Sequence, residues 1–107
     1  MKFKDYPIHP SILQAIEELG YKRPTDIQYK VIPHILNGED VMAVAPTGTG
    51  KTAAFAIPLL HKVNGYARKS GVQVLVMVPT RELARQIEQV FLDLSKHLSI
   101  SILSLIG

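Results

Sequence analysis

Apolar residues follow two different periodicities along this chain. In four segments they recur every three or four positions, which predicts amphipathic helices: 11–19, 25–36, 50–63 and 80–97. Three shorter, mainly apolar runs predict strands: 40–45, 72–78 and 99–106. The first is apolar on both faces, which is typical of a buried parallel strand. The order helix, helix, strand, helix, strand, helix, strand predicts an α/β fold, in which right-handed crossovers place helices on both faces of a parallel sheet.

Polar residues at the ends of the helical segments support these boundaries. Ser11 with Gln14, and Thr25 with Gln28, have the spacing of a capping box at the start of a helix. Thr80 is suited to cap the last helix, because its hydroxyl can accept a hydrogen bond from a backbone N–H that has no helical partner.

Composition indicates one folded domain. The chain has 107 residues, of which 47% are hydrophobic and 20% charged. It contains no cysteine, which excludes disulfide and thiolate chemistry. The apolar run 53–60 is too short to span a bilayer and residues 1–5 lack the apolar core of a signal peptide, so we expect a cytoplasmic protein without membrane contact. The net charge of +3 permits an anionic partner without identifying one.

A loop rich in small residues joins the first predicted strand to the third predicted helix. Between Ala45 and Thr52 it has the form of a Walker A phosphate loop, except that Ala45 stands where the usual pattern has glycine. Gly48 and Gly50 would allow the backbone to approach a phosphate. Lys51 would reach the outer phosphates and the Thr52 hydroxyl would bind Mg²⁺. The alternative is an ordinary strand-to-helix turn. The candidate phosphate-binding residues are Pro46, Thr47, Gly48, Thr49, Gly50, Lys51, Thr52 and Ala53.

Three stretches together resemble the DEAD-box RNA helicase family. Residues 20–28 (GYKRPTDIQ) are similar to its Q motif, residues 45–52 (APTGTGKT) to its motif I, and residues 79–86 (PTRELARQ) to its motif Ia. Phe3 lies where the family has an isolated upstream aromatic residue. The resemblance covers essentially the whole chain. It implies an N-terminal fragment of a RecA-like ATP-binding domain.

Within that fragment the resemblance implies two parts. Residues 1–38 would be the Q-motif region, and residues 39–107 would contain the phosphate loop and the motif Ia βαβ units. Because the family binds and hydrolyses ATP with Mg²⁺, these two are the expected cofactors. Lys51 and Thr52 are the expected catalytic residues.

The resemblance also implies an adenine site. Gln28 would read the base edge and Phe3 would stack on the base, with Tyr21 and Arg23 beside them. Each of these residues has an alternative interpretation. Gln28 could serve as the capping-box residue, Phe3 as a core residue, Tyr21 as an ordinary partly buried residue and Arg23 as a solvated turn residue.

Motif Ia implies contacts to RNA. Pro79, Thr80 and Arg81 would contact the phosphate backbone, where a helix N-terminus favours anions. The alternative for Arg81, and for Arg85, is a solvated helix face. The four histidines have no metal-ligand spacing and receive no predicted role: His9, His34, His61 and His97.

The carboxylates place a limit on the activity of this chain. A phosphate-loop ATPase needs an acidic residue at a strand end to hold Mg²⁺. After Val78 the carboxylates are Glu82, Glu88 and Asp93, all in one predicted helix, and the Asp-Glu-Ala-Asp sequence is absent. We therefore expect a parent ATP-dependent RNA helicase, and no ATP hydrolysis by the 107 residues alone.

Two other functions are compatible with the sequence. The chain could be a non-catalytic nucleotide-binding module that self-associates through open sheet edges. It could also belong to a phosphate-loop ATPase that is not a helicase.

Overall fold

The helical part of the sequence prediction is confirmed. The computed structural model describes residues 2–43, 50–64 and 72–105. In these ranges a 3-10 turn at Phe3–Asp5 precedes the helices α1 (Pro10–Glu18), α2 (Asp26–Leu36), α3 (Lys51–Asn64) and α4 (Arg81–Leu94). None of these helices is long and apolar enough to cross a bilayer.

The helix starts agree with the predicted caps except at α1. The Thr25–Gln28 capping box is present, and the Thr80 hydroxyl accepts a hydrogen bond from the Leu83 N–H at 3.2 Å. The predicted capping box of Ser11 is wrong, because α1 begins one residue earlier and His9 is its N-cap. Pro10 occupies the first helical position, where the missing N–H of proline carries no penalty.

The core lies between α3 and the elements that surround it. α3 packs most extensively against α2 and also against α4, and α1 contacts both α3 and α4. The N-terminal arm, residues 2–9, adds three buried apolar side chains to this core, those of Phe3, Tyr6 and Ile8. Burying an arm in this way removes apolar surface from water and holds the arm against the helices.

The predicted parallel sheet is not formed in the described part of the chain. Residues 40–43, 72–78 and 99–105 contain no β-strand, and positions 44, 45 and 106 of the predicted strands lie outside the described ranges. Many side chains in these segments are open to solvent, including Met77 at 85% and Leu105 at 89% exposure, whereas Ile100 and Ile102 pack against the core. A parallel strand needs a hydrogen-bonded neighbouring strand and a cover on both faces, and the described residues supply no such strand and cover only part of these segments.

We expect Tyr6→Phe to stabilise the chain. The Tyr6 side chain is buried, and within the described residues its hydroxyl has no hydrogen-bond partner. Burial, with the nearby Tyr29 and Asp5, also raises the pKa of this hydroxyl. Removing a buried, unsatisfied hydroxyl should increase the free energy of unfolding by about 1 kcal/mol, measured by urea denaturation. Tyr29→Phe, at an exposed position, is the matched control and should have almost no effect; equal effects would contradict the prediction.

Candidate nucleotide-binding site

The N-terminus of α3 carries the described part of the predicted phosphate loop. Gly50 has a φ of +79°, and its carbonyl accepts the first helical hydrogen bond, from the Ala54 N–H at 3.1 Å. Lys51 is exposed and Thr52 half-buried, whereas Ala53 is buried in the core. The backbone N–H groups in the first turn of α3 have no acceptor within the helix. This end of the helix therefore carries a partial positive charge and is suited to bind an anion. Pro46, Thr47, Gly48 and Thr49 lie outside the described residues.

Gln28 connects α2 to this helix start. Its side chain is 4% exposed, and its Oε1 accepts a hydrogen bond from the Thr25 N–H at 3.0 Å. Its Nε2 donates to the Gly50 carbonyl at 3.1 Å, across 22 positions in sequence. A Cβ atom at Gly50 would lie only 2.5 Å from the same Nε2. The Q-motif stretch and the phosphate loop are therefore in direct contact.

The contacts of Gln28 confirm its role in the capping box. Both ends of the amide are hydrogen-bonded, the oxygen to Thr25 and the nitrogen to Gly50. Recognition of adenine by the same amide stays a prediction. It would require the amide to exchange these partners for the base.

The other residues predicted for the base pocket lie in different environments, one in the core and two on the surface. Phe3 is buried in the apolar core, the position that its alternative interpretation gave it. Tyr21 follows the end of α1, where its N–H donates to the Ile16 carbonyl at 3.2 Å and its side chain is exposed. Arg23 is exposed as well. Stacking by Phe3, and nucleotide contacts by Tyr21 and Arg23, stay predictions.

The predicted RNA-contacting residues lie at the start of α4. Pro79, Thr80 and Arg81 are all exposed. The Thr80 oxygen accepts a hydrogen bond from the Leu83 N–H, which uses a lone pair and leaves the O–H able to donate to a phosphate. This geometry suits a backbone contact, which stays a prediction.

Two histidines have a structural role that the sequence reasoning missed. The His9 N–H donates to Nδ1 of His61 at 3.0 Å, which ties the start of α1 to the last turn of α3. Burial lowers the pKa of the His61 imidazole, and the positive charges of His9 and Lys62 lower it further. Pro10 signals a helix start and could have indicated His9 as a cap. No local signal indicates the contact to His61, which is 52 positions away.

Comparison with known proteins places this geometry in a family. The sequence model described as DEAD/DEAH box helicase matches residues 25–107. The chain is 44% identical to the ATP-dependent RNA helicase DeaD of Escherichia coli over 106 residues, 98% of this chain and 16% of that protein. It is 46% identical to the DEAD-box ATP-dependent RNA helicase 8 of Oryza sativa over 106 residues, 99% of this chain and 20% of that protein.

Solved structures agree with the sequence comparison. The RNA helicase Prp28 from Chaetomium thermophilum, bound to ADP, superposes with a TM-score of 0.90 at 36% identity, over 99% of this chain and 26% of that one. A DEAD box protein from Methanococcus jannaschii superposes with a TM-score of 0.81 at 45% identity, over 88% of this chain and 25% of that one. The 107 residues thus span about a sixth to a fifth of the curated relatives that they match. The chain belongs to the DEAD/DEAH box helicase family.

Proposed function

We propose that this chain is the nucleotide-binding part of an ATP-dependent RNA helicase. The observation that carries the proposal is the hydrogen bond from Gln28 Nε2 to the Gly50 carbonyl, which brings the candidate base-reading residue to the candidate phosphate site. The names of the relatives support ATP as the nucleotide and RNA as the partner. In the longer protein the three apolar segments would pair as the parallel sheet of a RecA-like domain, with helices on both faces.

The described residues fit a nucleoside triphosphate. Lys51 stands exposed at the positive end of a 14-residue helix, where its ammonium can neutralise phosphate oxygens. Thr52 follows it with a hydroxyl, a suitable oxygen ligand for Mg²⁺. When bound, Mg²⁺ supplies charge neutralisation at the phosphates.

The Gln28 amide fits adenine better than guanine. One amide offers one acceptor and one donor, and these match the N6 amino group and N7 of adenine. Guanine presents acceptors at both O6 and N7, so that the Gln28 oxygen would face another acceptor. Base binding would release the Thr25 N–H and leave the Gly50 carbonyl bonded to the Ala54 N–H.

ATP hydrolysis would need groups from elsewhere in the longer protein. The carboxylates that follow Val78 are Glu82, Glu88 and Asp93. All three lie on α4 and none at a strand end. The 107 residues therefore bind the nucleotide without turning it over, and the Pro79–Arg81 segment supplies RNA backbone contacts.

Nucleotide titration tests this proposal. Fluorescent ATP and GTP analogues are titrated against the chain and its variants. Lys51→Ala should weaken ATP binding by roughly 10- to 100-fold, the loss of one hydrogen bond to a charged group. Gln28→Ala should remove the preference for ATP over GTP. Lys30→Ala, which changes an exposed lysine paired with Asp26, is the control and should bind normally. Equal binding of ATP and GTP by the unchanged chain would refute the adenine assignment.

We also propose that the isolated chain self-associates. The segments 72–78 and 99–105 contain no charged residue and expose apolar side chains. Backbone that is not part of a β-sheet, beside such side chains, is a template for strand pairing with a second copy. Light scattering should show a mass that rises with concentration. Leu75→Lys should reduce the association, whereas Leu92→Lys on the exposed side of α4 should not. A monomer at every concentration would contradict this proposal.

A further inference from the structure

A pair of imidazoles joins the N-terminal arm to the helix that begins at the phosphate site. Nδ1 of His61 accepts the His9 N–H at 3.0 Å. Nδ1 of His9 accepts the Ser11 N–H at 3.1 Å and so caps α1. The two hydrogen bonds form a continuous connection from the last turn of α3, through His9, to the first turn of α1.

Each of these bonds requires an imidazole without a proton on Nδ1. A neutral imidazole can carry its single proton on Nε2 and leave Nδ1 as an acceptor, but a protonated imidazole has donors at both positions. Protonated His61 would direct an N–H at the His9 N–H. Protonated His9 would direct an N–H at the Ser11 N–H. In each case the hydrogen bond accepted by that ring would be lost.

The charges around His61 oppose its protonation. His9 faces it from the start of α1, and Lys62 adjoins it on α3; both raise the positive potential at the ring. Several charged side chains of the described residues pair with each other: Asp26 with Lys30, His34 with Glu39, and Glu18 with Lys96 and His97. Near neutral pH the ring is therefore neutral and can act as an acceptor.

The other end of α1 is held by a contact that resists acid. Glu18 Oε1 lies 2.7 Å from both Lys96 Nζ and His97 Nε2, just after α4. Hydrogen bonds from Lys96 and His97 lower the pKa of the Glu18 carboxyl to about 2, so this contact persists in mild acid. Acid thus loosens one end of α1 while the other end stays attached.

We propose that the contact between His9 and His61 is a pH-operated latch that fixes the arm and the start of α1 to α3. It is closed while Nδ1 of His61 accepts the His9 N–H and opens when the His61 ring takes a proton. The arm carries Phe3, Tyr6 and Ile8 into the core, so that opening frees the segment that buries them. This latch does not depend on the nucleotide site.

The sign of the pH dependence follows from the direction of the His61 shift. A histidine whose pKa is lowered by folding binds fewer protons in the native state than in the unfolded state. Its contribution to stability is complete above the ordinary histidine pKa of about 6.5 and is lost as the pH falls through the lowered native value. We expect the latch to be closed at pH 8 and to open as the pH falls through the lowered pKa of His61.

Amide hydrogen exchange of the full chain, followed by NMR from pH 8 down through the ring titration of His61, tests the latch. After correction for the intrinsic pH dependence of exchange, protection of the His9 amide should fall about tenfold on acidification, as expected for the loss of one hydrogen bond. The fall should share its midpoint with the ring titration of His61. Protection that is unchanged when His61 is protonated, or a ring proton on Nδ1 of His61 at pH 8, would overturn the proposal.

Three variants separate the latch from general acid sensitivity. In His61→Asn the amide oxygen can replace Nδ1 as an acceptor without titrating, so the pH dependence of the His9 amide should disappear. In His9→Asn the new side chain is a favoured N-cap and His61 is unchanged, so the pH dependence of the amide at position 9 should remain. His34→Asn, at an exposed pair with Glu39, is the control and should respond as the unchanged chain does.

The tests remain decisive if a variant does not fold. Circular dichroism at pH 8 establishes whether each variant is folded before exchange is measured. If His61→Asn is unfolded, agreement of the amide and ring midpoints in the unchanged chain supports the latch, and separate midpoints overturn it. A folded His61→Asn variant that keeps the full pH dependence of the His9 amide also overturns it.

Discussion

Replacing Gly50 with alanine is expected to lower the free energy of unfolding by roughly 2–5 kcal/mol, from two sources. The φ of +79° places a residue with a Cβ in the left-handed region, which costs about 1–2 kcal/mol. The new Cβ would also lie 2.5 Å from Gln28 Nε2. The amide must then move away from the Gly50 carbonyl, and a buried donor is left unpaired at a cost of about 1–3 kcal/mol. Urea denaturation followed by circular dichroism measures the sum.

Two controls separate strain from crowding. Gly20 has almost the same φ, +80°, but an added Cβ would meet nothing within 4 Å, so Gly20→Ala should show the strain alone. In a Gln28→Ala background only the 3.3 Å approach to Thr25 Cγ2 remains, and Gly50→Ala should cost little more than Gly20→Ala. Non-additivity of the Gln28 and Gly50 changes is thus the expected sign of their contact. Equal costs for Gly20→Ala and Gly50→Ala in the unchanged background would contradict it.

Replacing Ile57 with alanine is expected to destabilise the chain by roughly 2–5 kcal/mol, because it leaves a cavity in the centre of the core. Ile57 is 0% exposed and lies in the middle of α3, the helix against which the others pack. Small domains have a free energy of unfolding of about 5–15 kcal/mol, so this one change should remove a large part of the stability. The midpoint of urea denaturation measures the loss.

A smaller change at the same site provides the control for Ile57. Ile57→Val removes one methylene group and should cost about 1 kcal/mol. Leu92→Ala, at an exposed position on α4, should change the stability by less than about 0.5 kcal/mol. If Ile57→Ala and Leu92→Ala had equal effects, α3 would not be the centre of the core.

The helices could be predicted from the sequence because their signals are local. The apolar stripes of α2 and α4 and the caps at Thr25 and Thr80 involve residues within a turn of each other. The sheet could not be confirmed in the same way. Apolar runs such as 72–78 indicate a preference for burial on two faces, but a strand exists only when a neighbour pairs with it.

The helix start at the candidate site was predictable from the sequence, but the contacts around it were not. The spacing of Gly50, Lys51 and Thr52 predicts a helix start with a phosphate site, and the structure places them at the N-terminus of α3. The bond from Gln28 to Gly50 joins residues 22 positions apart and depends on how α2 packs against α3. His9 and His61 are separated further still, and periodicity carries no information about such pairs.

The hydrogen bonds that hold Gln28 would compete with adenine in the proposed base recognition. In the described structure the amide is held by Thr25 and Gly50, so only the fraction of molecules with a released amide could read adenine. The apparent dissociation constant would equal the intrinsic one divided by that fraction. Substitutions that weaken the hydrogen bonds to Gln28, and leave the amide itself intact, would then increase the affinity for nucleotide. The same substitutions would lower the free energy of unfolding. At this one side chain, a gain in nucleotide affinity would be accompanied by a loss of folding stability.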